Sequence, residues 1–156
     1  MSVVTMLKGH DLFQALPIEE VEKVSRFSSL KHLEEGERVY EDNAHASHVF
    51  VLVEGSIHLQ LPASPPEFSM IISQVQPGYF FGVAPLLGST RYTTTAKCAK
   101  PSDILAIEAR PFRELLQANP VVGMRVMSAV AQAYADRYIE LLKRLQGILK
   151  QLPLIG

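Results

Sequence analysis

The segment GERVYEDNAHASHVFVLVEGSIHLQL, from Gly36 to Leu61, indicates how this chain folds. HVFVLV, residues 48–53, is an apolar run of strand length, and turn residues stand on both sides of it in DNAHAS and in Glu54-Gly55. In SIHLQL, residues 56–61, apolar and polar residues alternate, as in a strand with one buried face. The segment therefore predicts two short strands that are separated by a turn at Glu54-Gly55.

Strand-forming runs continue after this segment, and the β-rich region covers about residues 31–108. FSMIISQV, TTTAKC and DILAI are further strand candidates, and the proline-rich PASPPE at residues 62–67 predicts a hairpin loop. Parallel strands need long crossover connections, usually helical, and no long helical pattern separates these runs. We therefore expect an antiparallel sandwich, roll or barrel.

Helical patterns flank the β-rich region. In LPIEEVEKVSRF, within residues 1–30, apolar residues recur at helical spacing at Ile18, Val21, Val24 and Phe27. RPFRELLQANP, at the start of residues 109–152, predicts a short helix that ends at Asn119-Pro120, because proline cannot continue a helix. A long helix is predicted over residues 121–152, and residues 153–156 form a tail.

The long helix carries an apolar stripe whose members are separated alternately by four and three residues. Such spacing is typical of a coiled-coil seam. The stripe can pack on the β-rich part, pair with a second copy of the chain, or do both along its length, and we expect a homodimer. Its members are Met127, Ala131, Tyr134, Tyr138, Leu141, Leu145, Ile148 and Leu152.

The overall composition limits the class of protein. The chain has 156 residues, 47% of them hydrophobic, a formal net charge of -1 and one cysteine, Cys98. One ordinary globular domain in a reducing compartment is expected, with no strong positive field for nucleic acid. The N-terminus does not read as a signal peptide, and no apolar run has the length of a membrane span. We therefore expect a cytoplasmic protein without membrane insertion.

Several motifs, taken in order along the chain, resemble the cyclic nucleotide-binding domain family, which includes catabolite-activator-type regulators and cyclic AMP-dependent kinase regulatory subunits. PGYFFG, residues 77–82, is similar to the entrance of that family's phosphate-binding cassette. The resemblance implies an α+β, mainly β fold: an antiparallel, jelly-roll-like double-stranded β-helix between N-terminal helices and a long C-terminal helix. The residues in the family's glycine, aliphatic and aromatic roles are Gly36, Val39, Tyr40, Phe50, Leu52, Gly55 and Ile57.

The resemblance also implies a ligand site in the cassette at residues 77–96, with cyclic AMP or cyclic GMP as possible ligands. In the family, a glutamate accepts from the ribose hydroxyl and an arginine pairs with the phosphate. Here Val83 stands at the glutamate position and Tyr92 at the arginine position, with Arg91 one residue early. One step along a strand reverses the side chain's face, so Arg91 points away from the pocket unless the register changes. The implied ligand-binding residues are Gly82, Val83, Ala84, Arg91, Tyr92, Thr93 and Thr94.

Two functional hypotheses remain open on the sequence. The first is a regulatory sensor that binds a cyclic nucleotide and transmits binding through the long helix. The second is a degenerate domain that has lost this ligand and serves as a dimerisation or protein-interaction module. No enzyme is expected, because no nucleophile–base set stands out. Neither metal nor other cofactor is expected, since His45 and His48 lack further residues at ligand spacing. The expected partners are a second copy and an unknown protein, without DNA binding by this chain.

Overall fold

The computed structural model describes residues 2–14, 16–62 and 69–152. The predicted hairpin loop at 62–67, except for Pro62, and the predicted tail at 153–156 lie outside the described residues. The helices are α1 Val3–Lys8, α2 Asp11–Gln14, α3 Ile18–Arg26, α4 Ala109–Ala118 and α5 Pro120–Leu149. The strands are β1 Ser28–Leu33, β2 Arg38–Tyr40, β3 His48–Leu61, β4 Met70–Val75, β5 Phe80–Phe81 and β6 Thr95–Glu108, and a short 3-10 helix spans Ala84–Leu87.

The described strands form one antiparallel sheet, as the sequence predicts. The order is β1-β6-β3-β4, with β2 paired to β6 and β5 paired to β3. β3 and β6 have 14 residues each and pair with one another along most of their length. These two long strands are therefore the frame on which the shorter strands and the helices are placed.

The predicted break at Glu54-Gly55 was wrong, because both predicted strands belong to the single strand β3. The strand bends there without ending: its register against β6 shifts between Leu52 and Ile57, as at a β-bulge. Gly55 has a φ of 110°, and a Cβ at this position would lie 2.7 Å from the Cα of Ser102 on β6. The glycine marks a bend with a close backbone approach, not a turn. TTTAKC and DILAI likewise contribute to one strand, β6.

The central strands separate two hydrophobic cores, because successive side chains on a strand point to opposite faces. Val49 and Val51 of β3 pack with the helices in the helical core, which also contains Phe13 and Phe112. Phe50 and Leu52 point to the other side, into the roll core. The remaining members of the roll core include Tyr40, Ile57, Leu59, Phe81, Tyr92, Ala96, Cys98 and Ile104.

The N-terminal helices cover one face of the roll. The predicted helix in this region is present as α3, and Val21 and Val24 are fully buried on its inner side. Ile18, which the periodicity placed on the same side, is the first residue of the helix and is 44% exposed. Leu7, Leu12 and Leu16 are buried in the same core, and the Phe13 ring stacks on Phe112 with centroids 6.2 Å apart.

The long helix α5 is packed at its start and projects at its end. The Asn119 side chain caps it by accepting from the backbone N–H of Val122 at 3.4 Å. Val122, Val126 and Val130 are buried against the body, whereas every residue from 142 to 152 is exposed. Although α5 has 30 residues, neither it nor another helix of the described chain is apolar enough over a sufficient length to cross a membrane.

Candidate functional site

The cassette begins with a tight turn that fixes β5 against β3. The N–H of Gly78 donates to the carbonyl of Leu52, and the N–H of Leu52 donates to the carbonyl of Tyr79, both at 2.9 Å. Gly82 then leaves the strand with a φ of 65°, and a Cβ there would come within 2.9 Å of the rings of Phe50 and Tyr40. Glycine is required at this point because the chain turns into the 3-10 helix directly over two aromatic rings.

Two stacked tyrosines form one wall of the site. The rings of Tyr40 and Tyr92 are nearly parallel, with centroids 3.9 Å apart. The Tyr92 hydroxyl donates to the carbonyl of His48 at 2.6 Å and accepts from the N–H of the same residue at 3.1 Å. Because the Tyr40 ring covers one face of the Tyr92 ring and His48 holds its hydroxyl, the ring is fixed in place.

The protonation of these tyrosines follows from their burial. Burial raises the pKa of the Tyr40 phenol to about 12, although a hydrogen bond to Thr94, whose Oγ1 lies 3.4 Å away, and the positive charge of Arg137 counteract the rise. Burial also raises the pKa of Tyr92. Both phenols are therefore neutral at physiological pH, and the Tyr40 hydroxyl can donate a hydrogen bond.

A cavity of about 220 Å³ lies between this wall and helix α5. The volume is smaller than the roughly 300–1,000 Å³ of ordinary small-molecule pockets. Its roll side comprises Tyr40, Leu59, Ile72, Gly82, Val83, Ala84, Tyr92, Thr93 and Thr94, and its α5 side comprises Tyr134, Arg137, Tyr138 and Leu141. The structure thus brings together six of the seven ligand-binding residues suggested by the resemblance.

Arg91 is the residue that the structure does not bring into the cavity. Its side chain is exposed, and its guanidinium donates to the carbonyl of Asn43 at 3.0 Å. The backbone of Arg91 is held in place by Ser89, whose hydroxyl donates to the Arg91 carbonyl at 2.7 Å. Tyr92, one residue later, points inward and is buried, which is the alternation expected in extended chain.

Val83, at the position of the family's glutamate, has an apolar role in this structure. It is 3% exposed and packs in the helical core while also lining the cavity. It begins the 3-10 helix, which ends at Gly88 with a φ of 83°. The cavity therefore has no carboxylate at this position to accept a hydrogen bond from a ligand.

Sequence reasoning missed the cation of the cavity, Arg137. Its guanidinium carbon lies 5.5 Å from the centroid of the Tyr134 ring, within cation–π range. Tyr134, Arg137, Tyr138 and Leu141 follow one another at intervals of three, one and three residues, which puts them on one helix face. That spacing was visible in the sequence, but only the packing shows that this face meets the roll.

The exposed apolar stripe of α5 differs partly from the predicted seam. Met127 and Leu141 are half-buried towards the body, and Tyr134 lines the cavity. A neighbouring stripe, again with alternating intervals of four and three, is exposed throughout. We call it the outer stripe: Ala131, Ala135, Tyr138, Leu142, Leu145, Leu149 and Leu152. The two sets share four residues, Ala131, Tyr138, Leu145 and Leu152.

The histidines do not meet in a common centre. His32 is exposed, and its ring contacts Asp103 at 2.7 Å and Glu34 at 3.0 Å. The Nδ1 atom of His48 lies 2.7 Å from the hydroxyl of Ser47. In the described ranges, no group of three or more histidine, cysteine, aspartate or glutamate side chains is arranged to hold a metal ion.

Comparison with known proteins decides the family. The model of the cyclic nucleotide-binding domain matches residues 30–119, which is more than half of the chain. The chain belongs to the cyclic nucleotide-binding domain family. The resemblance inferred from the glycine and aromatic motifs is thereby confirmed, and the matched range includes the cassette but not helix α5.

Several solved structures share the fold of this chain. A Geobacter metallireducens protein, provisionally named a cyclic nucleotide-binding protein, is 26% identical, with a TM-score of 0.76, covering 88% of this chain and 99% of its own. The sensor domain of the transcriptional regulator DNR from Pseudomonas aeruginosa is 18% identical, with a TM-score of 0.72 over 97% and 94%. The regulatory domain of Toxoplasma gondii PKA, solved with cAMP, is 16% identical, with a TM-score of 0.70 over 83% and 49%. The predicted β-roll with flanking helices is confirmed.

Proposed function

We propose that this chain is a non-enzymatic regulatory sensor domain in which a small ligand binds between the β-roll and α5. One observation carries the proposal: the cavity wall is shared, with nine residues from the roll and four from α5. A ligand in such a cavity contacts both parts at once. It therefore stabilises the position of α5 in which those contacts are best, which is the requirement for coupling binding to a conformational change.

The chemistry of the lining supports binding over catalysis. The described residues around the cavity are tyrosines, threonines, aliphatic residues and one arginine, without histidine, cysteine or carboxylate. General acid–base catalysis near neutral pH relies mostly on the missing types. The threonine hydroxyls have no base beside them in the cavity, so activation as nucleophiles has no support.

Cyclic AMP and cyclic GMP are the first ligands to test, because the chain belongs to a family named for binding such molecules. Two features argue for altered affinity or preference: Val83 supplies no acceptor, and Arg91 faces away from the cavity. The cavity is also small, so a nucleotide requires an outward movement of α5 or of the tyrosine rings on it. Binding of a cyclic nucleotide therefore implies a change in the position of α5 or of these rings.

A second candidate function is a degenerate domain that no longer binds a cyclic nucleotide and acts as a protein-interaction or dimerisation module. The Tyr40–Tyr92 stack favours it, because the Tyr92 ring takes up space inside the roll and is fixed by both hydrogen bonds to His48. In this alternative, the tyrosine side chains replace a ligand as part of the roll core.

Titration calorimetry with cyclic AMP and cyclic GMP separates the two functions. The sensor hypothesis expects saturable heat from at least one nucleotide, and weaker binding to Tyr138→Ala, which removes a ring from the cavity. Ile139→Ala is the matched control, since Ile139 is the next residue on α5 and lines a neighbouring groove instead. Absence of heat at millimolar nucleotide favours the dimerisation module.

The outer stripe is the proposed route by which α5 passes on the change. Its distal members Leu142, Leu145, Leu149 and Leu152 are 40–51% exposed, an unusual amount of apolar surface for a helix in water. Their regular spacing fits a second copy of the same helix, and Ala131 and Ala135 permit close approach. We propose that the chain acts as a homodimer whose paired helices present a ligand-dependent surface to a protein partner.

A further inference from the structure

The charges around the cavity are unevenly distributed. Arg137 is the only charged side chain among the described residues that line it. The second cationic candidate, Arg91, is outside the cavity, with its guanidinium on the carbonyl of Asn43. The cavity therefore has a positive charge on its α5 side and no negative charge among its described lining residues.

Arg137 lies between two different environments. On one side is the cavity, and on the other is a neighbouring groove between α5 and β4, which Asp136, Glu140 and Lys143 also line. None of the ion pairs formed among the described residues includes Arg137. Its guanidinium carbon lies over the Tyr134 ring, 5.5 Å from the centroid. Its positive charge also acts across the cavity to lower the pKa of the Tyr40 phenol, against the larger effect of burial.

We propose that Arg137 binds the anionic group of the ligand, in place of a cassette cation, and that the ligand is a monoanion that carries a planar aromatic ring. This inference rests on the proposed function, since it names the ligand class of the same cavity. A half-buried guanidinium without a carboxylate partner gains from an anion, because charge-assisted hydrogen bonds are the strong ones and the guanidinium can form two at once.

The rest of the lining accounts for the aromatic part of the ligand. Four tyrosine rings, Tyr40, Tyr92, Tyr134 and Tyr138, face the cavity together with Leu59, Ile72 and Leu141. Aromatic rings stack on flat ligands and bury much apolar area. The hydroxyls of Thr93 and Thr94 and the neutral phenol of Tyr40 can complete the contacts with polar atoms on the ring.

The position of the cation has a consequence for regulation. Arg91 belongs to the roll, so an anion bound to its guanidinium would not be bound to α5. Arg137 belongs to α5, so an anion bound to it and to the tyrosines of the roll links the two parts directly. Ligand binding then stabilises the arrangement in which α5 and the roll both contact the ligand, with no intermediate element needed.

The test compares Arg137→Gln with Arg91→Gln, two variants that lose the same charge. Binding of cyclic AMP, cyclic GMP and salicylate to the full chain is measured by calorimetry, with adenosine as the uncharged aromatic control. We expect at least one anionic probe to bind, adenosine to bind more weakly, and Arg137→Gln to reduce affinity about 10- to 100-fold. Arg91→Gln is expected to bind as the unaltered chain does, and Arg137→Lys to recover part of the affinity.

The anionic probes distinguish two sources of the same chemistry, because cyclic nucleotides carry a phosphate and salicylate a carboxylate. Circular dichroism confirms that each variant is folded. Equal binding to Arg137→Gln and to the unaltered chain overturns the inference and leaves the sensor function standing, as does a loss confined to Arg91→Gln. Binding of adenosine without binding of any anionic probe also overturns the inference and leaves the sensor function standing. If no probe binds at millimolar concentration, the inference and the sensor function are both overturned.

Discussion

Gly55 lies at a close approach of the two longest strands, and its missing side chain permits the bend in β3. Its φ of 110° is in the region that L-residues rarely adopt, and the backbone of Ser102 lies where a Cβ would be. The hydroxyl of Ser102 accepts from the N–H of Ser56 at 3.2 Å, which closes the bend from the β6 side. One glycine and one serine thus maintain the curvature of the roll.

Gly55→Ala is expected to destabilise the protein by about 3 kcal/mol or more, since backbone strain adds to a steric clash with Ser102. Gly36→Ala is the matched control, because Gly36 also has a positive φ, 87°, but nothing within 4 Å of its added Cβ. We expect Gly36→Ala to lower the free energy of unfolding by only about 1 kcal/mol, which is the cost of the unfavourable backbone conformation. Urea unfolding of both variants measures the difference, and equal losses would contradict a role for the Ser102 contact.

At the scale of the element, α5 combines three functions along its length. Its first turns are packed on the body through Val122, Val126 and Val130. Its middle turns supply Tyr134, Arg137 and Tyr138 to the cavity. Its last turns are exposed on all sides and carry the leucines of the outer stripe. A shift of this helix therefore changes the cavity and the outer stripe together.

Leu145→Glu is expected to convert a dimer into a folded monomer, because it places a charge on an apolar stripe without touching the cavity or the core. Leu145 is 51% exposed and belongs both to the predicted seam and to the outer stripe. Sedimentation at micromolar concentration measures the change, and circular dichroism should remain that of the unaltered chain.

The control for Leu145→Glu is Gln146→Glu, which adds the same carboxylate on the adjacent, exposed position outside the stripe. It should leave the dimer intact. A chain that sediments as a monomer before any substitution would contradict the proposed self-association, and the exposed leucines would then require a different partner.

At the scale of the molecule, one sheet joins two cores. Phe112 belongs to the helical core and is fully buried, with Phe13 and Phe27 as ring neighbours at 6.2 and 6.5 Å. Tyr40 and Tyr92 belong to the roll core. Because β3 and β6 contribute alternate side chains to each core, neither core can be lost without exposing the other side of the same strands.

Phe112→Ala is expected to lower the free energy of unfolding by about 3–5 kcal/mol, from lost burial and the cavity left behind. Both cores should unfold in a single transition that is shifted by this loss of stability. The chain has no tryptophan, so the near-ultraviolet signal of the tyrosines reports largely on the roll. The far-ultraviolet signal reports on the helices, and the two unfolding curves should coincide.

Leu87→Ala is the control for Phe112→Ala, since Leu87 is 51% exposed. It should change stability by no more than about 0.5 kcal/mol, as is usual at the surface. Separate tyrosine and helix transitions in Phe112→Ala would show that the two cores unfold independently, contrary to the shared-sheet argument.

Much of the architecture could be predicted from the chain because the signals are local. Each of these signals determines the conformation of adjacent residues. Examples are the apolar run at 48–53, the helical spacing of Val21 and Val24, and Pro120 after Asn119. The prediction failed at Glu54-Gly55, where a dipeptide typical of a turn forms a bulge inside one strand. Only the pairing with β6 distinguishes these two outcomes, and β6 is more than 40 residues away in sequence.

The sequence by itself determined the order of the helical and β-rich regions, the family and six residues of the cavity, because these depend on periodicity and on motifs that are contiguous along the chain. Only the tertiary structure decided that Arg137 lines the cavity and that no change of register brings Arg91 into it. The backbone direction at Arg91 and the rotation of α5 at Arg137 determine where the two side chains lie. Contacts with distant segments set both the direction and the rotation. The sequence contains both arginines, but only packing places one of them in the cavity.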